Sequence, residues 1–218
     1  MNFYGFSHLP KARKGFLNRT LSPITLFMAD LLTLTGVTIT RGRKPLASDI
    51  TCTLPAAGLL LLTGPNGSGK TSLLRAVAGL LDAQGSITRH ANIHWLAAQP
   101  LSPSLETPRQ YLTYQAALMG AGKLSWSADP FAIARVLDTP LNKLSTGWRQ
   151  RVKLSRLLCA ERTLWLLDEP TDGLDAGAVQ ALQALVKTHR DRGGGAIIAT
   201  HDPQFWTDAQ TLEMVVPA

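Results

Sequence analysis

Residues 64–71 read GPNGSGKT. Their types and spacing suit one task, the cradling of phosphate. Glycines let successive backbone amides turn inward, and a helix beginning at the end of the loop adds partial positive charge. Lys70 supplies a full charge that reaches the β and γ phosphates of a nucleotide, and the Thr71 hydroxyl can ligate Mg²⁺. Gly64, Pro65, Asn66, Gly67, Ser68, Gly69, Lys70, Thr71 and Ser72 are therefore the candidate nucleotide-binding residues.

A second group lies a hundred residues on. LWLLDEP, residues 164–170, is an apolar run ending in two carboxylates. In α/β proteins the C-terminal ends of buried strands carry ligand-facing groups. Asp168 there would hold Mg²⁺, directly or through water, and Glu169 would polarise the attacking water. By itself such an ending is often only a polar turn; behind a phosphate loop it reads as a hydrolytic pair. Gln99 closes an apolar segment before a Pro- and Ser-rich loop and could reach the metal or the water. His201 follows AIIAT and could contact a γ-phosphate. Taken singly, Gln99 reads as a loop amide satisfied by backbone and His201 as a structural histidine.

These groups need elements to carry them. Alternating residues 31–40 and 48–54 predict half-buried strands, and 58–64 a fully buried one. Apolar Leu73, Leu74, Val77, Leu80 and Leu81 recur at helical spacing over 70–81, giving strand, loop, helix. SITRH and NIHWLAA predict two further strands. Thr107 followed by Pro108 predicts a capped helix, and Asp129 followed by Pro130 a second one running to about Leu137. A basic amphipathic stretch opens at LSTGW, residues 144–148. Its Arg149, Arg151, Lys153 and Arg156 are expected on a solvated face or paired with acids. Beyond it lie a buried strand ending at Asp168, a helix over 176–191, a strand in GAIIATHD and a last one in TLEMVV. Strands alternating with helices imply a parallel α/β core, interrupted by a helical insertion over about 104–158.

The chain has 218 residues, 45% of them hydrophobic and 17% charged, which suits one domain with a sizeable core. Four of its seven net positive charges, Lys11, Arg13, Lys14 and Arg19, precede the first acid, Asp30. The remainder is only mildly basic, so nucleic acid is not an expected partner. Cys52 and Cys159 lack metal or redox spacing and read as reduced core thiols. The longest strongly apolar run is far short of the ~18 residues of a spanning helix. Residues 1–29 are acid-free and rich in Ser, Thr and Asn, a composition like that of an organelle transit peptide. The alternative is a start at Met28, with 1–27 an appended basic tail and 28–218 the folded domain.

The order of phosphate loop, Gln99, helical insertion, LSTGWRQRV, LWLLDEP, DGLD and His201 resembles the nucleotide-binding subunit of an ATP-binding cassette (ABC) transporter over about residues 31–216. The resemblance implies a P-loop NTPase core of the ABC ATPase type with an antiparallel β part. It also implies ATP and Mg²⁺ as ligands and a homodimer in which LSTGW, similar to the LSGGQ signature, binds the γ-phosphate held by the other copy. Ser145 and Gly147 keep the signature positions facing that phosphate, and Asp175 of DGLD crosses between copies. Thr146 and Trp148 depart from the signature, and Trp148 either sits at the dimer seam or packs against the insertion. Where many cassettes stack adenine on an aromatic residue this chain has Arg41, which either stacks on the base or lies exposed in a hairpin turn.

The short length, the arginine-rich turn and LSTGWRQRVKLSRLLCAERTLWLLDEP are similar to the haem-exporter ATP-binding subunits of cytochrome c maturation. That implies an ATPase on the cytoplasmic face of a bacterial inner membrane, docked on permease subunits of the CcmB and CcmC kind. No residue here reads as a haem ligand. The rival readings are the ATPase of another ABC transporter, an importer or a lipid or drug exporter, and a non-transport cassette acting on ribosomes or DNA. The second generally needs paired cassettes or long coiled coils, which this chain lacks.

Overall fold

The computed structural model describes residues 30–42, 44–121 and 129–215; the tail 1–27 lies outside that description, as do the Arg41 and Lys44 side chains. Two sheets organise the chain. β1 (Asp30–Arg41) and β2 (Lys44–Pro55) form an antiparallel hairpin, and β4 (Gln84–Arg89) joins the free edge of β1, giving the order β2-β1-β4. The second sheet is parallel throughout, in the order β5-β6-β7-β3-β8. Its strands are β3 (Leu59–Thr63), β5 (Ile93–Leu96), β6 (Leu164–Asp168), β7 (Gly195–Ala199) and β8 (Gln210–Glu213).

The apolar runs in β3, β6 and β7 are continuous because both faces of the parallel sheet are covered. Side chains alternate between two cores. Leu60, Leu62, Leu164, Leu166 and Ile197 face the antiparallel sheet and α1 (Lys70–Val77). Leu59, Leu61, Trp165, Leu167 and Ile198 face the helical side, with α2 (Pro108–Leu118), α3 (Thr146–Leu154) and α4 (Ala176–Asp191). Fully burying one such leucine stabilises by about 1.5–3 kcal/mol, so the sheet is a rigid platform for whatever its edge carries.

Two expected helices are shorter than their patterns suggest. α1 stops at Val77, because Gly79 takes a left-handed φ of +76° and the Leu80 amide turns back to Arg75 O at 2.8 Å. Leu80 is consequently 62% exposed and leaves the apolar face to which its spacing assigns it. Arg89 of β4 then donates to the Val77 carbonyl and shares the Ala76 carbonyl with the Gly79 amide.

Asp129 does cap, accepting from the amides of Ile133 and Ala134 at 2.8 Å, but it opens only a short 3₁₀ turn, Ile133–Val136. Ala132 at φ +56° breaks the path between cap and turn, leaving Pro130 outside. The Thr107 expectation holds in full: a capping box with Gln110 opens α2 at Pro108.

Candidate functional site

Parallel register aligns the strand ends. Leu62 of β3 and Asp168 of β6 both pair with Ala199 of β7, while Leu96 of β5 pairs with Leu167. The loop after β3, the two carboxylates after β6, His201 after β7 and Gln99 after β5 therefore emerge along one edge of the sheet.

The phosphate loop is shaped by glycine. Gly64, Gly67 and Gly69 adopt φ of +127°, +82° and +98°. A side chain on Gly64 would also lie 2.3 Å from Met214 O. Gly69 stands at the N-cap of α1 with no side-chain cap and no acid in the first turn, so the first amides face an anion without competition. Lys70 is only 7% exposed, and its Nζ donates to Gly64 O at 2.8 Å and Pro65 O at 3.2 Å. These contacts hold the ammonium over the loop it serves.

Thr71 Oγ1 donates to Asp168 Oδ2 at 2.9 Å, joining two residues 97 apart in sequence. Burial raises the pKa of Asp168, while the Thr71 bond, the nearby Ala98 amide and the charges of Arg75 and Lys153 pull it back down. Glu169 stands at φ +45°, a conformation that a residue with a side chain adopts only where its surroundings enforce it. Its amide bonds Ala199 O, and its Oε2 meets His201 Nδ1 at 2.9 Å and accepts from the His201 amide at 3.3 Å. The bond and charge of Glu169 raise the His201 pKa, with smaller help from Asp202 and Asp172.

A cavity of about 510 Å³ opens at this edge, lined by loop and α1 residues Asn66, Gly67, Gly69, Lys70, Thr71 and Ser72, by Asp168 and Glu169, and also by Thr40, Leu46 and Arg75. Sequence reasoning missed the last three. Arg75 was findable, since it stands four residues after Thr71 on the same face of α1. Gln99 is exposed and is not part of the cavity wall, although Ala98 is. The Arg41 side chain lies outside the described residues; its backbone closes β1 opposite Lys44.

The signature turn stands apart from its own chain's cavity. Ser145 is the N-cap of α3, accepting from the Trp148 amide at 3.3 Å, and it is exposed with Thr146. A side chain on Gly147 would come within 3.1 Å of Gly173 O, so the turn packs closely on the 169–175 loop. Gln150 Nε2 donates to Pro170 O, and Arg151 pairs with Asp175 at 2.5 Å. Asp175 also caps α4 through the Ala178 amide. Trp148 is half-buried against the helical-side core, with the Arg151 guanidinium 5.0 Å above its ring.

The expected basic face is mostly not a face. Of its four cations only Arg151 pairs with an acid among the described residues. Arg149 donates to Leu144 O, Arg156 is half-buried, and Lys153 is 2% exposed.

Residues 47–172 match the family described as ABC transporter. The chain is 38% identical over 203 residues to the cytochrome c biogenesis ATP-binding export protein CcmA of Maricaulis maris (strain MCS10), covering 85% of this chain and 92% of that one. It is 37% identical to the protein of the same name from Gluconobacter oxydans (strain 621H), over 79% of this chain and 82% of that one. Among solved structures, an ATP-binding subunit of an ABC transporter superposes with a TM-score of 0.74 at 21% identity, over 86% and 88% of the two chains, a likeness of fold. With the phosphate loop and the carboxylate pair set along one sheet edge and the signature turn opening α3, the chain belongs to the ABC transporter family, as an ATP-hydrolysing subunit grouped with the cytochrome c biogenesis ATP-binding export proteins.

Proposed function

We propose that two copies of this chain close on two ATP molecules and that their turnover drives haem export, or release of a haem-loaded chaperone, during c-type cytochrome biogenesis. In each copy the amides of residues 64–72 and the Lys70 ammonium bind the phosphates. Ser145 and Gly147 of the second copy cover the γ-phosphate, which fits the exposure of Ser145 and the absence of both residues from their own cavity wall. Asp175 reaches the boundary between copies on the exposed start of α4. Arg41, whose side chain lies outside the described residues, is the candidate to stack on the base, the alternative being an exposed place in the hairpin turn.

Glu169 orients and deprotonates the attacking water. His201 steadies that carboxylate, 2.9 Å from its ring, and reaches toward the γ-phosphate. The Thr71 hydroxyl and Asp168 carboxylate are hard oxygen donors within hydrogen-bond distance of each other, a pair suited to Mg²⁺, with Gln99 able to join them. When bound there, the ion neutralises charge on the phosphate oxygens.

The observation that carries the hydrolytic reading is the convergence of Lys70, Thr71, Asp168 and Glu169 on one cavity. The haem reading rests on kinship with the cytochrome c biogenesis export proteins. No helix among the described residues is long and apolar enough to cross a membrane. The same kinship supports a peripheral subunit on the cytoplasmic face of the inner membrane, on permease partners of the CcmB and CcmC kind.

The test is haem staining of membrane and periplasmic proteins from a host whose only copy carries Lys70→Ala. Loss of covalently attached haem with b-type cytochromes intact supports the proposal. Normal staining discards the haem cargo and leaves the ATPase of a different ABC transporter.

A further inference from the structure

Lys153 lies on α3, the helix opened by the signature turn, and is 2% exposed. Its Nζ donates to the carbonyls of Ala97 at 2.9 Å, Ala98 at 3.2 Å and Gln99 at 3.4 Å. An ammonium has three hydrogens and no acceptor, so its whole bonding capacity is spent on three successive residues of one loop. That loop leaves β5 at the edge carrying Asp168, and the Ala98 amide lies near enough to the Asp168 carboxylate to favour its charged form. Thr71 donates to the same carboxylate. A continuous path therefore runs from the signature helix through Lys153 to the 97–99 backbone, then to Asp168 and the phosphate loop.

Stability alone does not account for this lysine. Burying the ammonium is costly, and burial lowers its pKa to about 8 against the opposing pull of Asp168 and Asp172. A methionine of similar volume would fill the space without that cost.

We propose that Lys153 is a positioning residue for ATP hydrolysis. It clamps the backbone at 97–99 so that Ala98 stays in the cavity wall beside Asp168 and Gln99 is presented next to it, and it makes the loop and the signature helix move as one body. The inference rests on the hydrolytic site proposed above.

The test uses the full chain with Lys153→Met and Lys153→Arg. It measures hydrolysis against Mg²⁺ and against ATP, binding of a fluorescent ATP analogue in chelator, and thermal unfolding. Loss of an outer partner of a metal-binding carboxylate typically costs about 10–100-fold in activity or metal affinity. Lys153→Met is expected to lower kcat by about tenfold and raise the half-saturating Mg²⁺ concentration, while metal-free nucleotide affinity and the unfolding midpoint hold. Lys153→Arg is expected to recover most of the rate.

Wild-type kcat and Mg²⁺ requirement in Lys153→Met would overturn the proposal. So would a joint loss of nucleotide affinity, Mg²⁺ response and stability that arginine does not rescue, which would mark a merely structural tie. If Lys153→Met does not fold, Lys153→Gln, which keeps one donor group, is judged by the same criteria. Wild-type hydrolysis that survives Glu169→Gln would instead undo the site assignment itself, leaving no reaction for Lys153 to position.

Discussion

Asp168 carries the sharpest conflict between stability and use. It is 2% exposed, and its folded-state pKa lies above the ordinary carboxylate value because burial outweighs its partners. A raised folded pKa means that the folded state holds the proton more readily than the unfolded chain does. The ionised form therefore costs stability at neutral pH, and that cost fades as pH falls through the folded pKa. Asp168→Asn keeps an acceptor for Thr71 and removes the charge. It should raise the thermal midpoint at neutral pH and abolish hydrolysis, with the stability gain shrinking in acid. A lower midpoint at pH 7 would show that the charge is net stabilising through Arg75 and Lys153.

Elements hold these residues by devices of unequal visibility. β5 offers the clearest consequence, since His94 is 3% exposed and both its ring nitrogens are buried without partners among the described residues. Burial, aided by Arg156 and Arg162, lowers its pKa from 6.5 to about 4. The unfolded chain thus binds a proton that the folded strand refuses, and stability falls as pH drops from about 6.5 toward 4, by up to about 3 kcal/mol. His189, lowered by burial, adds to that slope, and His201, raised by Glu169, opposes it. His94→Leu should flatten the decline in urea-unfolding free energy between pH 7.5 and 5 relative to the parent; an unchanged slope would refute the assignment.

The phosphate loop and the Asp168–Glu169 pair were legible in sequence because their chemistry is local, a glycine pattern after a buried strand and two acids at a strand end. Other features turn on single backbone angles or distant partners. Gly79 ends α1 before Leu80, and Ala132 cuts short the helix that Asp129 caps. Lys153 sits among arginines in a helix that pattern alone places in solvent, and its acceptors are 54–56 residues away.

At the scale of the whole molecule, two cores clamp the parallel sheet from opposite faces and fix its strand ends. The cavity at those ends has the phosphate loop on one side and Glu169 beside it, while Ser145 and Gly147 are absent from its wall. A signature turn that does not serve its own cavity is free to serve another copy's, which is the placement the proposed two-chain closure on ATP depends on. The direct test is the sedimentation of Glu169→Gln with and without saturating Mg·ATP. Removing the base should slow turnover by about 10²–10⁴-fold and trap the closed state. The expected result is a monomer without nucleotide and a stable dimer with it. A chain that stays monomeric with ATP bound, or that hydrolyses at the wild-type rate, would contradict the shared site.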